Sequence, residues 1–245
     1  LARPGSSLLS EVVSWRGVFL TSAAVMALLA VVLFRLLPVR VPEARLGYGA
    51  LMASMGRLAL HTPLLRRRAI YPAFMFAAFS LFWTTTPLYL SGPHFNLSPG
   101  EIALVSLAGA AGTVCAPIAG RMADRGWTRA ATLFALLAVA LSFAITHLAP
   151  EGSHLALAIL VVAAIVLDFG VTTNLVLGQR AIFTLGAEFR SRLNGIYMAT
   201  FFMGGAIGSA VGGWAYAAGG WQAASWLGFA LPVAALLYFL TEKHD

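Results

Sequence analysis

Charged residues are scarce in this sequence. Asp, Glu, Lys and Arg together make up 10% of the 245 residues, whereas an average soluble domain has about 25%. Hydrophobic residues make up 60%, and the core of a soluble chain of this length is too small to bury that much apolar surface. The composition therefore excludes an ordinary soluble domain and indicates that lipid surrounds much of the chain.

Cysteine and catalytic motifs are also nearly absent. The single cysteine, Cys115, excludes an internal disulfide framework and a cysteine-based metal cluster, and within its apolar run it is interpreted as a small packing residue. The sequence contains no H-E-x-x-H, G-x-S-x-G or G-x-x-x-x-G-K-S/T motif, and its five histidines lack metal-ligand spacing. We predict that the protein is not an enzyme and holds no cofactor or metal.

Lys and Arg are missing from every second connector between the apolar runs, namely Ser91–Pro99, Ala149–Ser153 and Ala217–Gly220. Of the 16 basic residues, all except Arg3 and Arg16 lie in the alternate connectors, at the adjoining span ends or in the tail. Basic residues near span ends are retained on the cytoplasmic side of a membrane. The pattern therefore predicts a polytopic membrane protein with cytoplasmic basic loops. Because these residues form no basic face interleaved with aromatics, the net charge of +7 does not indicate a nucleic-acid partner.

Seven apolar runs reach the length of about 20 residues that a helix needs to cross a bilayer. Runs this long with internal Gly and Pro cannot be the alternating strands of a barrel. We therefore predict an all-α membrane protein with seven transmembrane helices, at Gly17–Leu37, Ala69–Leu90, Glu101–Ala119, Ala130–Leu148, His154–Val176, Leu193–Ala218 and Trp221–Leu240. A shorter apolar stub, Leu1–Leu9, precedes them, and because the chain opens with Leu1 we expect its natural N-terminus to lie upstream.

The connector at residues 38–68 is the longest one and is basic. Apolar residues recur in it at helical spacing, with Arg45 and Arg57 off their face, at Ala50, Leu51, Met55, Leu58 and Ala59. This spacing predicts an amphipathic helix on the membrane surface. A basic linker between two halves of a larger protein is an equally good interpretation, and the two are compatible.

The turn between the third and fourth runs has the most specific local pattern. From Gly120 to Arg129 it reads G-R-M-A-D-R-G-W-T-R, and glycines suit a turn where backbones approach closely or φ is positive. Asp124 can pair with Arg121 or Arg125, or lie at a helix N-terminus, where a negative charge is favoured. A bond made in one conformation and broken in another would serve as a gate, formed by Gly120, Asp124, Arg125 and Arg129. An ordinary basic turn is the alternative.

This G-x-x-x-D-R-G loop resembles the cytoplasmic loop signature of the major facilitator superfamily, which occurs in that family after the second helix and, more loosely, after the eighth. The segments at residues 2–5 (A-R-P-G) and 14–19 (S-W-R-G-V-F) resemble the end of the family's fifth helix and the start of its sixth. The resemblance implies that residues 1–37 hold the end of helix five and helix six. It further implies a basic cytoplasmic central loop at residues 38–68 and a C-terminal six-helix bundle at residues 69–245.

Within the family, the chain resembles bacterial drug and metabolite exporters of the proton-antiporter type. The implied function is secondary active export of a small organic solute by alternating access, driven by the proton gradient across a bacterial inner membrane. The expected partners are the lipid bilayer, a small-molecule substrate and the absent N-terminal half of the transporter. A non-transporting membrane module, receptor-like or a degenerate remnant, is the alternative. A membrane enzyme is less favoured because a catalytic constellation is missing.

Asp168 is the one acidic residue inside a predicted span. A charge there costs about 2.5–3.5 kcal/mol on insertion scales and tends to face a cavity or a partner. Thr172 and Gln179 follow at helical spacing and share its face, with Asn174 off it. One interpretation is a protonatable or substrate-binding carboxylate, because this span resembles the family's cavity-lining tenth helix. The other is a buried carboxylate that fixes helix packing.

Trp83 and Thr84 share one side of the second span with Ser80 and Pro87. An aromatic ring beside hydroxyls suits an amphipathic organic substrate, and this span resembles the family's seventh helix, which also lines the cavity. The alternative is that Trp83 packs against a neighbouring helix while the threonines bond to their own backbone carbonyls.

Small residues repeat at every fourth position in two stripes, Gly204, Gly208 and Gly212, and Gly112, Ala116 and Gly120. Such stripes allow two helix backbones to touch. The resemblance places them on helices eleven and eight, which meet the other half of a transporter and slide during alternating access. Static packing within the bundle is the alternative.

Overall fold

The computed structural model describes residues 2–38, 47–109 and 116–242. Within these ranges the chain forms eight α-helices and one short 3₁₀ turn: α1 (Ala2–Leu36), α2 (Tyr48–His61), α3 (Pro63–Ser91), α4 (Pro99–Gly109), α5 (Ala116–Asp124), α6 (Thr128–Ile145), α7 (His154–Phe183), the 3₁₀ turn (Ala187–Phe189) and α8 (Arg190–Leu240). The described ranges contain no strand, which confirms the predicted all-α class.

Among the described helices, five stretches are long and apolar enough to cross a membrane: Phe19–Leu36, Pro63–Ser91, Thr128–Ile145, His154–Phe183 and Ala187–Leu240. This count differs from the predicted seven in two places. The predicted third span falls on α4 and α5, and residues 110–115 between them are outside the described ranges. The predicted sixth and seventh spans both lie within α8.

α8 consists of two helical legs. As one rod, its 51 residues would extend about 75 Å at 1.5 Å per residue, far beyond the roughly 30 Å hydrocarbon core of a bilayer. The backbone is non-helical at Gly219 (φ −152°, ψ 24°) and Gly220 (φ 61°, ψ −153°), and the positive φ at Gly220 is one that favours glycine. The break falls inside the predicted connector Ala217–Gly220.

Contacts with α3 show that the chain reverses direction at this break. Along the second leg, the Trp221 ring lies 5.9 Å from Phe82, and the Phe239 ring lies 5.8 Å from Tyr71, so this leg is antiparallel to α3. Along the first leg, successive glycines meet successively later positions of α3, which makes that leg parallel, at the pairs Gly204–Ala73, Gly208–Ala77 and Gly212–Leu81. Both legs of α8 therefore pack on one helix.

The bundle has two chemically different ends. The starts of α3 and α6 meet the end of α8 where Arg68 and Arg129 contact Glu242, and we call this the basic end. At the other end, where Tyr89 stacks on Trp221, the connectors contain no Lys or Arg, and we call it the arginine-free end. The alternation of basic residues along the sequence thus corresponds to two ends in space.

α1 runs without a break from Ala2 to Leu36, whereas the family resemblance implied the end of one span followed by the start of another. Its side chains from Phe19 onward are exposed, and its described contacts are with α4. Its apolar surface suits lipid or further helices.

A helix, α2, is present in the connector at residues 38–68, where the spacing predicted one; residues 39–46 are outside the described ranges, and residues 63–68 belong to α3. α2 has no buried residue. Its half-buried positions include four of the five predicted apolar residues, Ala50 being exposed, at Leu51, Met55, Leu58 and Ala59. The helical spacing therefore located both the helix and its face.

The main core is formed by α3, α6, α7 and α8. Phe82 on α3, Phe143 on α6 and Leu167 on α7 are fully buried in it, and Gly228 lets the second leg of α8 approach the Phe143 ring. In a bilayer such helices are held by close van der Waals packing, since lipid is as apolar as the side chains. This core fixes α3 beside α7, where the candidate site lies.

Candidate functional site

Asp168 on α7 contacts Trp83 on α3 within the bundle. Trp83 Nε1 donates a hydrogen bond to Asp168 Oδ1 at 3.3 Å. Trp83 is buried, whereas Asp168 is half-buried. A carboxylate inside a membrane span is costly unless a donor or a cavity accompanies it. The fold thus joins two predicted pathway residues from different helices.

The other predicted pathway residues lie in further places along the same helices. Thr84 Oγ1 is 2.8 Å from Ser209 Oγ on the first leg of α8. Gln179 Nε2 donates to Asn194 Oδ1 at 2.7 Å, and Thr172 is half-buried on α7. The predicted residues therefore form a row of polar positions along α3, α7 and α8 instead of one cluster.

Aromatic rings border the row at Trp83. The Phe79 ring meets Trp83 edge-on at 6.3 Å, and Phe76 stacks on Phe201 with ring centroids 3.9 Å apart. Phe76 also stacks on Phe79 at 5.4 Å. Apolar rings beside a few placed polar atoms are the usual lining of a site for an organic ligand.

The helix α3 also shows part of the alternative interpretation. Trp83 packs edge-to-face against Phe82 at 5.5 Å, and Thr85 Oγ1 donates back to the Leu81 carbonyl at 2.9 Å. Thr84 differs, because its hydroxyl reaches α8. Trp83 therefore both packs against a neighbouring ring and makes a polar contact with another helix. Of the two threonines, Thr85 bonds to its own helix and Thr84 bonds to α8.

The glycine-containing turn after α5 contacts the end of α7. Arg180 forms an ion pair with Asp124 and donates to the Gly120 carbonyl at 3.1 Å. An ideal Cβ at Gly120 would lie 2.9 Å from Arg180 Nη2, so a side chain here would require the Arg180 guanidinium to shift. Gly126 has φ 77°, a conformation that favours glycine. Backbone conformation therefore explains Gly126, and Arg180 is the observed neighbour of Gly120.

The predicted partner of Asp124 was wrong. Its ion pair is with Arg180, not with Arg121 or Arg125, and the Arg125 guanidinium lies over the Trp127 ring at 5.9 Å. Asp124 is also the last residue of α5 and not at a helix N-terminus. A carboxylate at the C-terminal end of a helix is opposed by the helix dipole, so a cation from another helix relieves it.

Arg129, the remaining predicted gate residue, belongs to a different contact. Its Nη2 donates to the backbone oxygen of Glu242 at 3.3 Å, and Arg68 Nη2 lies 3.1 Å from Glu242 Oε1. Arg67 Nη1 donates to Thr241 Oγ1 at 3.2 Å. We call Arg67, Arg68 and Arg129, grouped around the end of α8, the arginine clamp. It ties α3, α6 and α8 together at the basic end.

The glycine stripe on α8 lies against the backbone of α3. An ideal Cβ at Gly208 would overlap the carbonyl oxygen of Ala77, and one at Gly204 would overlap that of Ala73. A Cβ at Gly212 would meet an α3 side chain at 2.7 Å. This is close helix packing within the bundle, the arrangement that the static alternative describes.

Two predictions concern residues outside the described ranges: the packing role of Cys115 and the stripe that starts at Gly112. Gly120, the last member of that stripe, has its space taken by the Arg180 guanidinium.

Sequence reasoning missed the partners Arg180, Ser209 and Asn194. They are separated from their partners by 56, 125 and 15 residues respectively. Each is an ordinary polar residue in its own helix. The one available signal is general: a polar group inside a span needs a partner.

Long apolar helices, a row of polar contacts between them and two ends that differ in basic residues define a polytopic helical membrane protein. A sequence profile for the Major Facilitator Superfamily matches residues 1–186, well over half of the chain. The chain therefore belongs to the Major Facilitator Superfamily, which confirms the resemblance first seen in the loop at Gly120–Gly126.

Curated relatives are named as transporters. The chain is 36% identical over 244 residues to the "Uncharacterized transporter YgaY" of Escherichia coli O157:H7, an alignment that covers 100% of this chain and 61% of the relative. It is 29% identical over 222 residues to the "Probable transporter SCO4007" of Streptomyces coelicolor, covering 90% of this chain and 50% of that relative. The chain thus spans 50–61% of the length of these relatives. Family and names indicate a transporter and not an enzyme, as predicted.

Proposed function

We propose that this chain forms part of a secondary active transporter that moves a small organic solute by alternating access. Seven crossings would be made by α1, α3, α4 with α5, α6, α7 and the two legs of α8. They correspond to helix six and the C-terminal six-helix half of the family fold, with the other half completing the pathway. The family membership, the apolar helices and the reversal of α8 support this arrangement.

The contact between Trp83 and Asp168 carries the proposal. It brings the one acidic residue inside a span to a hydrogen-bond donor on a second helix, beside a wall of aromatic rings. Binding of a solute or a proton at Asp168 would compete with this bond. A bond between two helices that breaks when a ligand or a proton binds can couple the occupancy of the Asp168 site to the relative position of α3 and α7.

We propose that the transporter exports its solute and that the proton gradient drives this export. The basic end would then face the cytoplasm of a bacterial cell. The half-buried Asp168 is the candidate proton carrier, because an intramembrane carboxylate is a default functional group in transporters. The basic connectors support the orientation. No further cofactor is needed for such a cycle, since the proton gradient supplies the free energy.

The Arg180–Asp124 ion pair, with the Gly120 carbonyl beside it, is the candidate gate at the basic end. It joins the turn after α5 to the end of α7, the helix that carries Asp168. A movement of α7 that follows events at Asp168 would stretch or release this contact. The pair is exposed, so breaking it costs little, as a reversible contact requires.

The decisive experiment measures solute flux in proteoliposomes that contain the complete protein. Small organic solutes are first screened for those that raise its thermal stability. An imposed pH gradient should drive accumulation of a stabilising solute, and Asp168→Asn should abolish this gradient-driven flux while retaining solute exchange without a gradient. Glu101→Gln, a carboxylate outside the row, is the control and should transport normally. Gradient-driven flux that is unchanged in Asp168→Asn would contradict the proposal.

A further inference from the structure

A cavity of about 380 Å³ lies at the arginine-free end of the bundle. The end of α3, the loop that follows it, the loop before α7 and the break in α8 contribute to its walls. Its lining includes three aromatic residues, Tyr89, Tyr216 and Trp221, and two ionisable ones, His94 and Glu151. The predicted pathway residues are not among its lining residues, so this cavity is a separate feature of the fold.

The aromatic wall of the cavity is preformed. The Tyr89 and Trp221 rings stack with centroids 4.6 Å apart and an interplanar angle of 11°, and both side chains are buried. The indole Nε1 of Trp221 is buried and has no hydrogen-bond partner among the described residues. Because this N–H is enclosed by protein, the wall presents ring surface to the cavity and not a hydrogen-bond donor.

The charge of the cavity is set by Glu151. Its Oε2 lies 3.3 Å from His94 Nε2, and both side chains are about half exposed. The connectors at this end contain no Lys or Arg. The loop between α6 and α7 also contains His147, which stacks on Trp226 and lies 3.1 Å from Ser225 Oγ. A cationic ligand therefore meets the Glu151 carboxylate without a lysine or arginine of these connectors to compete with it.

The glycine break in α8 gives the cavity its room. Gly219 and Gly220 line it with backbone alone, and an ideal Cβ at Gly220 would meet nothing within 4 Å. A Cβ at Gly219, in contrast, would lie 2.8 Å from the Ala223 Cβ, so the open space is at Gly220. A cavity with open backbone, aromatic rings and one carboxylate matches the surroundings that bind ammonium cations.

We propose that this cavity binds a small organic ammonium ion. The Glu151 carboxylate is the counter-ion, and the aromatic rings of the lining contribute cation–π attraction. An anion is disfavoured by Glu151, and an uncharged solute leaves the carboxylate unused.

Choline is a suitable probe because it is a small organic quaternary ammonium ion. Isothermal titration of the complete protein in detergent should show saturable choline binding. Glu151→Gln should weaken it by about tenfold, the range of a cation–π and ion-pair contact. Glu101→Gln is the matched control. The Glu101 carboxylate is exposed in the first turn of α4, where it accepts hydrogen bonds from Ser98. The Glu101→Gln variant should bind choline with wild-type affinity.

A further measurement separates charge from shape. The carbon analogue of choline, in which a quaternary carbon replaces the nitrogen, should bind much more weakly than choline. Absence of saturable choline binding, equal binding of the uncharged analogue, or wild-type affinity in Glu151→Gln would each overturn the proposal. Because binding is measured without flux, the result is independent of the transport proposal.

Discussion

The basic end and the arginine-free end of this bundle are closed by different kinds of contact. At the basic end, the arginine clamp and the Arg180–Asp124 pair join helices through charge-assisted hydrogen bonds. At the arginine-free end, stacked rings meet a glycine break, and the one described ion pair joins His94 to Glu151. The first kind of contact depends on the direction of individual hydrogen bonds, whereas the second is a packing of rigid ring surfaces.

The two contacts within the basic end also differ from each other. The side chains of Arg68 and Glu242 are 10% and 18% exposed, while those of Arg180 and Asp124 are 47% and 66% exposed. A buried pair is costly to break because one charge is left without a partner. An exposed pair is replaced by water at little cost. The clamp is therefore suited to holding α8 in place, and the Arg180–Asp124 pair to opening.

The largest expected effect concerns which side of the membrane each end faces. In a variant whose Cys115 is replaced by alanine, Ser153→Cys should react with a membrane-impermeant thiol reagent in intact cells, because it lies at the arginine-free end. Arg125→Cys, at the basic end, should react only after permeabilisation. The inverse labelling pattern would refute the orientation inferred from the basic connectors.

Removing a clamp residue should have the next largest effect. Arg68→Ala should lower the free energy of unfolding by about 3 kcal/mol, because it leaves the Glu242 carboxylate largely buried without its cation. Arg66→Ala is the matched control, since Arg66 is exposed and an exposed substitution usually changes stability by less than about 0.5 kcal/mol. Unfolding in detergent measures both. Equal losses would show that the basic end is not held by the clamp.

Between the two ends, the glycine stripe should be sensitive to one methyl group. Gly208→Ala places a Cβ against the Ala77 carbonyl, and overpacking of this kind costs about 1–3 kcal/mol. Gly213→Ala, five residues along the same leg, meets nothing within 4 Å and should be neutral or slightly stabilising through helix propensity. The difference in thermal midpoints is the measurement. Similar midpoints for the two variants would show that the close contact between α3 and α8 at Gly208 does not contribute to thermal stability.

The smallest expected effect on stability is at the candidate gate. Asp124→Asn should change the free energy of unfolding by less than about 1 kcal/mol, because the pair is exposed. If the pair acts as a gate, solute flux in proteoliposomes should nevertheless fall. Arg125→Ala, which loses only its place over Trp127, is the control. Normal flux in Asp124→Asn would show that this contact is a surface ion pair and not a gate.

Much of the fold was predictable from local patterns. The runs that became α3, α6 and α7 are continuous apolar stretches, and their helical state follows because a backbone in lipid must satisfy its own hydrogen bonds. The face of α2 followed from the spacing of Leu51, Met55 and Leu58. The break in α8 followed from the run that ends at Gly219 and Gly220, since a helix of 51 residues is about twice as long as a single crossing of a bilayer needs.

The partners of the polar residues were not predictable. Asp168 was recognised as costly inside a span, but its contact with Trp83 depends on how α3 and α7 are rotated about their axes. The same holds for Asp124, whose nearest arginines in sequence are not its partner. Helix periodicity gives the residues that share a face, whereas the packing of several helices selects which faces meet.

Composition and the spacing of basic residues were enough to fix the class of this protein, its helical state and the grouping of its connectors, because lipid imposes one solution on an apolar chain and each residue contributes to it locally. The pairing of Asp168 with Trp83, of Asp124 with Arg180 and of Glu242 with Arg68 arose from the assembled bundle. Those contacts join residues 56 to 174 positions apart. Their geometry depends on the close packing of glycines and rings, which no segment of the sequence encodes alone.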